Sequence, residues 1–206
     1  MRYNFINFFV FIFFIIPSKF SFAEMTIEEL FFDNSVPFHL KILEVIPPNG
    51  KIEIGPPDAE NTIIEFMDYF CGYCKQIHPE LMEIVENRND TRVIFIQHPI
   101  LSQSSTVIAE MVVAASYQNK DLEFHNAIFS MTGALTREKL NQIIEKLEIN
   151  SNKLGIDMTK DEIKNIVKLS SFIANGAGAR GTPTLFINEE MFPGYISAQQ
   201  IKNLLK

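Results

Sequence analysis

The chain has 206 residues, 47% of them hydrophobic, enough to bury one good core with room for a helical elaboration, which excludes a disordered protein. Lys and Arg number 18 against 25 Asp and Glu, a formal net charge of −7. An acidic chain with no basic cluster argues against nucleic acid as a partner.

The first residues form a block of their own. Arg2 supplies a positive start, Phe5 to Ile16 is an apolar run broken only by Asn7, and Ser21-Phe22-Ala23 ends a more polar exit with small residues. Residues 1–23 therefore read as a cleaved secretory signal, since the 12-residue run is short of the roughly 20 that a membrane-spanning helix needs. An uncleaved N-terminal anchor is the alternative. Removing the block takes away Arg2 and Lys19 and no acid, so the remainder is more acidic still. Export to an oxidising compartment, the periplasm, would let a disulfide persist.

Residues 24–60 read as an N-terminal extension. Thr26 and Glu29 make a capping box for a short helix through Phe32. His39 to Ile46 reads as a strand, Pro47-Pro48-Asn49-Gly50 as a turn, and Lys51 to Ile54 as a second strand ending at GPPDAEN. Thr62 to Phe70, TIIEFMDYF, is nearly continuous in β-branched and aromatic residues, as a strand buried on both faces should be. From Cys74 onward Ile77, Leu81, Ile84 and Val85 recur at helical spacing, which puts Cys71 at or just before a helix start; Pro79 should kink that helix. Thr91 to Ile96 is the next strand, so the unit is β-α-β with its strands parallel.

A helical block follows. Its apolar stripes are Val107, Ile108, Met111, Val112 and Ala115, then Leu140, Ile143, Ile144 and Leu147, then Ile163, Ile166, Val167 and Ile173, the last helix capped by Thr159 and Glu162. After Gly176-Ala177-Gly178, a Thr-Pro leads into a strand over Thr184 to Asn188, a turn at Glu189-Glu190 and a second strand before Gly194. Ser197 and Gln200 then form a capping box for a final helix carrying Ile201, Leu204 and Leu205.

Cys71 and Cys74 are the only two cysteines. A bridge between them closes a loop too short to constrain much of the unfolded chain, so the pair is nearly useless as a staple. At the first turn of a helix a thiol meets unpaired N–H groups and the positive end of the dipole, which lowers its pKa and makes Cys71 a nucleophile. Cys74, one turn on, is the resolving thiol. Glu65, inside an apolar strand, would have its pKa raised by burial and could carry protons to and from Cys74. The competing reading of Glu65 is an idle carboxylate in a solvent-filled groove. No metal is expected, because His39, His78, His98 and His125 are scattered without ligand spacing. His78 reads as a helix-surface or groove residue, and His98, before Pro99, as serving a turn. A c-type haem needs His directly after the second cysteine, and here Lys75 stands there.

Glu65 to Leu81, EFMDYFCGYCKQIHPEL, with Gly181 to Thr184, GTPT, resembles the exported DsbA-like thiol–disulfide oxidoreductases of the thioredoxin superfamily over roughly residues 55–206. The resemblance implies an α/β thioredoxin fold with an inserted helical domain: 61–101 and 176–206 form the thioredoxin part, and 102–175 the insertion. It implies that Thr182–Pro183 is a cis peptide facing the cysteines and holding an extended substrate strand. It makes Gly72-Tyr73 the dipeptide that tunes redox poise. Gly72-Tyr73 with Thr182 is more like isomerases and reductases than like strong oxidants, which tend to carry Pro-His. Isomerases, however, usually carry a longer N-terminal oligomerisation segment, so oxidase or isomerase direction and oligomeric state stay open. The expected partners are unfolded or misfolded exported proteins and a membrane redox partner, and the redox-active Cys71–Cys74 disulfide serves in place of a cofactor. A non-catalytic envelope or surface binding module on the same fold is the alternative.

Overall fold

The computed structural model describes residues 35–206, so the expected signal at 1–23 and the capped helix of Thr26 and Glu29 lie outside the described residues. Eight helices and five strands follow in these residues. In chain order they are α1 (Phe38–Val45), β1 (Lys51–Ile54), β2 (Asn61–Met67), α2 (Gly72–Asn87), β3 (Thr91–Gln97), α3 (Gln103–Ser116), α4 (Asp121–Ser130), α5 (Arg137–Lys146), α6 (Ser151–Met158), α7 (Asp161–Gly176), β4 (Thr184–Ile187), β5 (Glu190–Pro193) and α8 (Ala198–Leu204).

The strands form one sheet in the order β1-β3-β2-β4-β5. β2 lies at its centre, parallel to β3 with Glu65 opposite Phe95, and antiparallel to β4 with Glu65 opposite Leu185. Every residue of β2 is buried, which is why its sequence shows no polar alternation. β1 and β5 are antiparallel edges.

Alternation along the strands sorts the core onto two faces. Ile63 and Met67 join Val93, Phe95, Leu185 and Ile187 under α2, α8 and the helices of the 103–176 segment. Ile64 and Phe66 join Ile94, Ile96 and Phe186 on the other face, covered by Ile42, Leu43 and Ile46 around α1 and by Ile173 and Ala174 of α7. Full burial of each such side chain is worth about 1.5–3 kcal/mol. Glu65 shares the first face, so its carboxyl is surrounded by this apolar layer.

Several expectations need correction. The segment from His39 to Ile46 is helix rather than strand: Ile42, Leu43 and Ile46 recur at helical spacing, and Pro47 forces Ile46 into extended backbone to end it. The cap of α7 is not Thr159, whose hydroxyl instead donates to Ile156 O at 2.7 Å and closes α6. The helical segment holds five helices, not three; α4 and α6 went unread because each is short and weakly periodic. Residues 68–70, expected to continue β2, form the loop into the site. α2 runs through Pro79 as one element.

Candidate active site

β2 ends in a turn built by Asp68. Its carboxylate accepts the amides of Phe70 (2.8 Å), Ile100 (2.9 Å) and Leu101 (3.0 Å), which ties the loop after β2 to the loop after β3. The Cys71 amide donates to Asp68 O at 3.0 Å, and Cys71 then serves as the N-cap of α2. Its sulfur accepts from the Cys74 amide at 3.3 Å, the place a capping oxygen ordinarily fills. Both cysteines are free thiols; Cys71 is 7% exposed and Cys74 wholly buried.

The two sulfurs have opposite electrostatics. The Cys71 thiol is lowered to about 6, first by a hydrogen bond from the Cys74 thiol, against the opposing effect of burial, with help from Thr182 and the amides of Cys74 and Tyr73. Burial pushes the Cys74 thiol far up, and the Cys71 sulfur and Glu65 charge push the same way. Burial also raises Glu65 well above the usual carboxylate range; the Cys74 thiol offsets part of this. Glu65 is wholly buried, so its carboxyl does not face a solvent-filled groove.

The 181–184 segment arrives opposite the helix start. The Thr182–Pro183 peptide is cis, and the Cys71 thiol donates to Thr182 O at 3.1 Å across 111 positions of sequence. The buried Thr182 hydroxyl, without a partner while the sulfur is a thiol, is a further donor for the thiolate. His98 is wholly buried; its Nε2 lies 3.2 Å from Ala179 O, so it anchors the approach to Thr182 from the loop after β3.

Gly72 has open space where a Cβ would stand. Tyr73 is 61% exposed and stacks on Tyr195, whose hydroxyl donates to Glu80 Oε1 at 2.7 Å. Lys75 Nζ donates to Met131 O, linking the first turn of α2 to the end of α4.

His78 is a correction: it is buried, not on a surface or in a groove. It falls one turn after Cys74 on the stripe Cys74, Ile77, Leu81, and that spacing was the signal. Its ring packs on Phe129 and meets His125 edge to face at 4.8 Å between centroids. His125 Nδ1 lies 2.9 Å from the Tyr69 hydroxyl, to which Gln97 Nε2 also donates at 3.3 Å. Burial lowers His78 to about 4 and His125 well below the ordinary imidazole value, so both rings are neutral. The histidines thus are less scattered than their sequence positions suggest. Among the described residues no three His, Cys, Asp or Glu side chains are placed to hold a metal ion.

The family model described as Thioredoxin matches residues 48–206. The chain belongs to the thioredoxin family. Within it the likeness is to the DsbA-like thiol:disulfide oxidoreductases. A thioredoxin-like oxidoreductase from Silicibacter pomeroyi superposes with a TM-score of 0.71 at 27% identity, covering 77% of this chain and 91% of that one. The catalytic domain of Proteus mirabilis ScsC superposes at 0.69 and 22% identity, covering 78% and 90%, a likeness of fold. A Na(+)/H(+) antiporter NhaA of Nitrosospira multiformis is 28% identical over 144 residues, 68% of this chain and 23% of the antiporter. The chain thus spans about a quarter of the length of the first curated relatives it matches.

Proposed function

We propose that this thioredoxin-family protein is an exported thiol:disulfide oxidoreductase acting on unfolded or misfolded exported proteins in the periplasm. The observation that carries the reading is the opposed pair of sulfurs, one lowered to about 6 at a helix N-cap and the other raised by burial beside Glu65. Such a split makes one sulfur the attacking thiolate and keeps the other protonated until it is needed.

The Cys71 thiolate attacks one sulfur of a substrate disulfide, forming a mixed disulfide and releasing the other substrate sulfur as a thiolate. Cys74 then loses its proton and attacks Cys71 Sγ, closing the Cys71–Cys74 disulfide and freeing the second substrate thiol. Two electrons and two protons pass to the substrate; the reverse sequence oxidises it. Glu65, held as the neutral acid, protonates the Cys74 sulfur when the disulfide opens, and its conjugate base takes the proton back. The substrate strand lies along Thr182–Pro183, where the Thr182 backbone already meets the Cys71 sulfur. Gly72 and Tyr73 set the poise. The pair is itself the redox centre, so no bound cofactor is required. A membrane redox partner resets it, and the form that partner keeps populated decides between oxidase and isomerase work.

In this reading residues 1–23 are a signal, 24–60 an extension, 61–101 with 176–206 the thioredoxin part and 102–175 its helical insertion. A Cys74→Ala variant expressed with its signal in a bacterial host tests it. Mixed disulfides between Cys71 and other exported proteins are expected on non-reducing gels; their absence would favour the non-catalytic envelope module.

A further inference from the structure

The proposed mechanism uses the Thr182 side of Cys71 and leaves a second feature unused. A trough at Cys71 is also lined by Phe70, Gly72, Lys75, Ile128, Met131 and Leu135. Phe70 and Leu135 also line a larger groove of about 460 Å³ between α3 and α5, whose floor is Val107, Met111, Leu140 and Ile144. Phe70 and Val107 are each 42% exposed, and because Phe70 and Leu135 line both cavities, trough and groove adjoin.

The loop of residues 131–136 gives Met131, Gly133, Ala134 and Leu135 to the trough, and it is held by cations. Lys75 reaches its start at Met131 O, while Lys139 Nζ donates to Thr132 O at 2.8 Å and Ala134 O at 3.1 Å. Arg137, on the groove's rim, joins none of the ion pairs formed among the described residues. Lys75 lines the trough and Arg137 the groove, so each cavity carries a cation on a chain whose net charge is −7.

We infer that the groove between α3 and α5 is a second substrate subsite, taking a large apolar side chain of the polypeptide whose cysteine reacts at Cys71, with an acidic neighbour placed against Arg137. The inference rests on the redox reading above. Continuity with the sulfur selects the occupant: a chain bound at Cys71 must run on past it, and this is the apolar path open to it. The size and lining suit one aromatic or branched aliphatic side chain with polar groups at the mouth. The basic rim selects an acidic flanking residue over a basic one.

The test uses the reduced protein with synthetic single-cysteine peptides activated as mixed disulfides with thionitrobenzoate. Cys71 attacks the peptide sulfur and thionitrobenzoate leaves as the coloured thiolate; Cys74 then closes on Cys71 and frees the peptide thiol. Phe is moved through successive positions on either side of the cysteine in an otherwise Ala and Gly peptide. One position should react about tenfold faster than the Phe-free peptide, the order expected for burying part of one large side chain. Val107→Glu should flatten that preference to less than about twofold. Arg137→Glu should reverse a preference for Asp over Lys beside the Phe. Glutathione activated in the same way is too small to reach the groove, and its rate should be the same in all three proteins. Equal peptide rates at every Phe position, or a preference that survives both substitutions, would overturn the subsite while leaving the redox reading intact. Failure of wild type to react even with activated glutathione would defeat the redox reading, and the subsite with it.

Discussion

Replacing Glu65 with glutamine should change how stability depends on pH. In the unfolded chain a glutamate has a pKa of about 4.3, whereas burial raises Glu65 well above that. Its folded form therefore holds a proton that the unfolded form has lost. For an acid with a raised folded pKa, stability is fully present below the unfolded pKa and falls as pH rises, until the folded pKa is reached. Between the unfolded and the folded pKa the slope is about 1.4 kcal/mol per pH unit. The substituted glutamine is shaped like the neutral acid and cannot ionise. Wild type and E65Q, both reduced, should thus have unfolding curves that differ by a roughly constant amount near pH 4 and diverge steadily toward pH 7, with the variant gaining. Shared ionisable groups distant from Glu65 cancel in the difference, and the coupled Cys71 adds its own effect only near and above about pH 6. Chemical denaturation at closely spaced pH values reads this directly. Parallel curves from pH 4 to 7 would refute the claim that this carboxyl is held neutral by burial, and would withdraw its role as proton donor to Cys74.

Further outcomes follow from the same site. E65Q should slow disulfide exchange through Cys74 by about a hundredfold, while the first attack by Cys71 changes little, a split that stopped-flow measurement of the two steps would show. Titrating the ultraviolet absorbance of the Cys71 thiolate should give a midpoint of about 6, and removing the leading donor with Cys74→Ala should raise it. Because that pKa is depressed on folding, Cys71 contributes stability that grows as pH rises from about 6 toward the unfolded thiol value of about 8.5, read as the difference between wild type and Cys71→Ser. Asp68→Ala leaves three amides without their acceptor and should cost about 2–4 kcal/mol in denaturant unfolding. His78 and His125 are lowered, so their contribution is complete above the unfolded value of about 6.5 and is lost as pH falls below it; His125→Phe should flatten the acid side of the stability curve.

How much could be read from sequence depended on which force held each part. The TIIEFMDYF run announced a doubly buried central strand because apolar burial leaves a compositional mark. Cys71 at the head of α2 and the Ser197–Gln200 box were legible because helix caps are local. α1 reads as a strand because HLKILEVI is dense in apolar residues, and the helical spacing of Ile42, Leu43 and Ile46 stands out only once their shared burial is known. α4 packs against α3 and α5, and α6 against α3 and α7, contacts that no window of ten residues reveals. The chemistry around the thiols was only half legible. Glu65 stood out as an acid in an apolar strand, but the reach of Asp68 to Ile100 and Leu101 spans more than thirty positions. The same is true of the Tyr69, Gln97 and His125 contacts, which join three elements distant in sequence.

The most direct test is the equilibrium of the Cys71–Cys74 pair in glutathione buffers of graded ratio. The account predicts full, reversible interconversion of dithiol and intramolecular disulfide. A potential near about −120 mV would make substrate oxidation the working direction, and one near about −180 mV or below isomerisation or reduction. A pair that stays reduced, or that oxidises without returning, would contradict the redox reading.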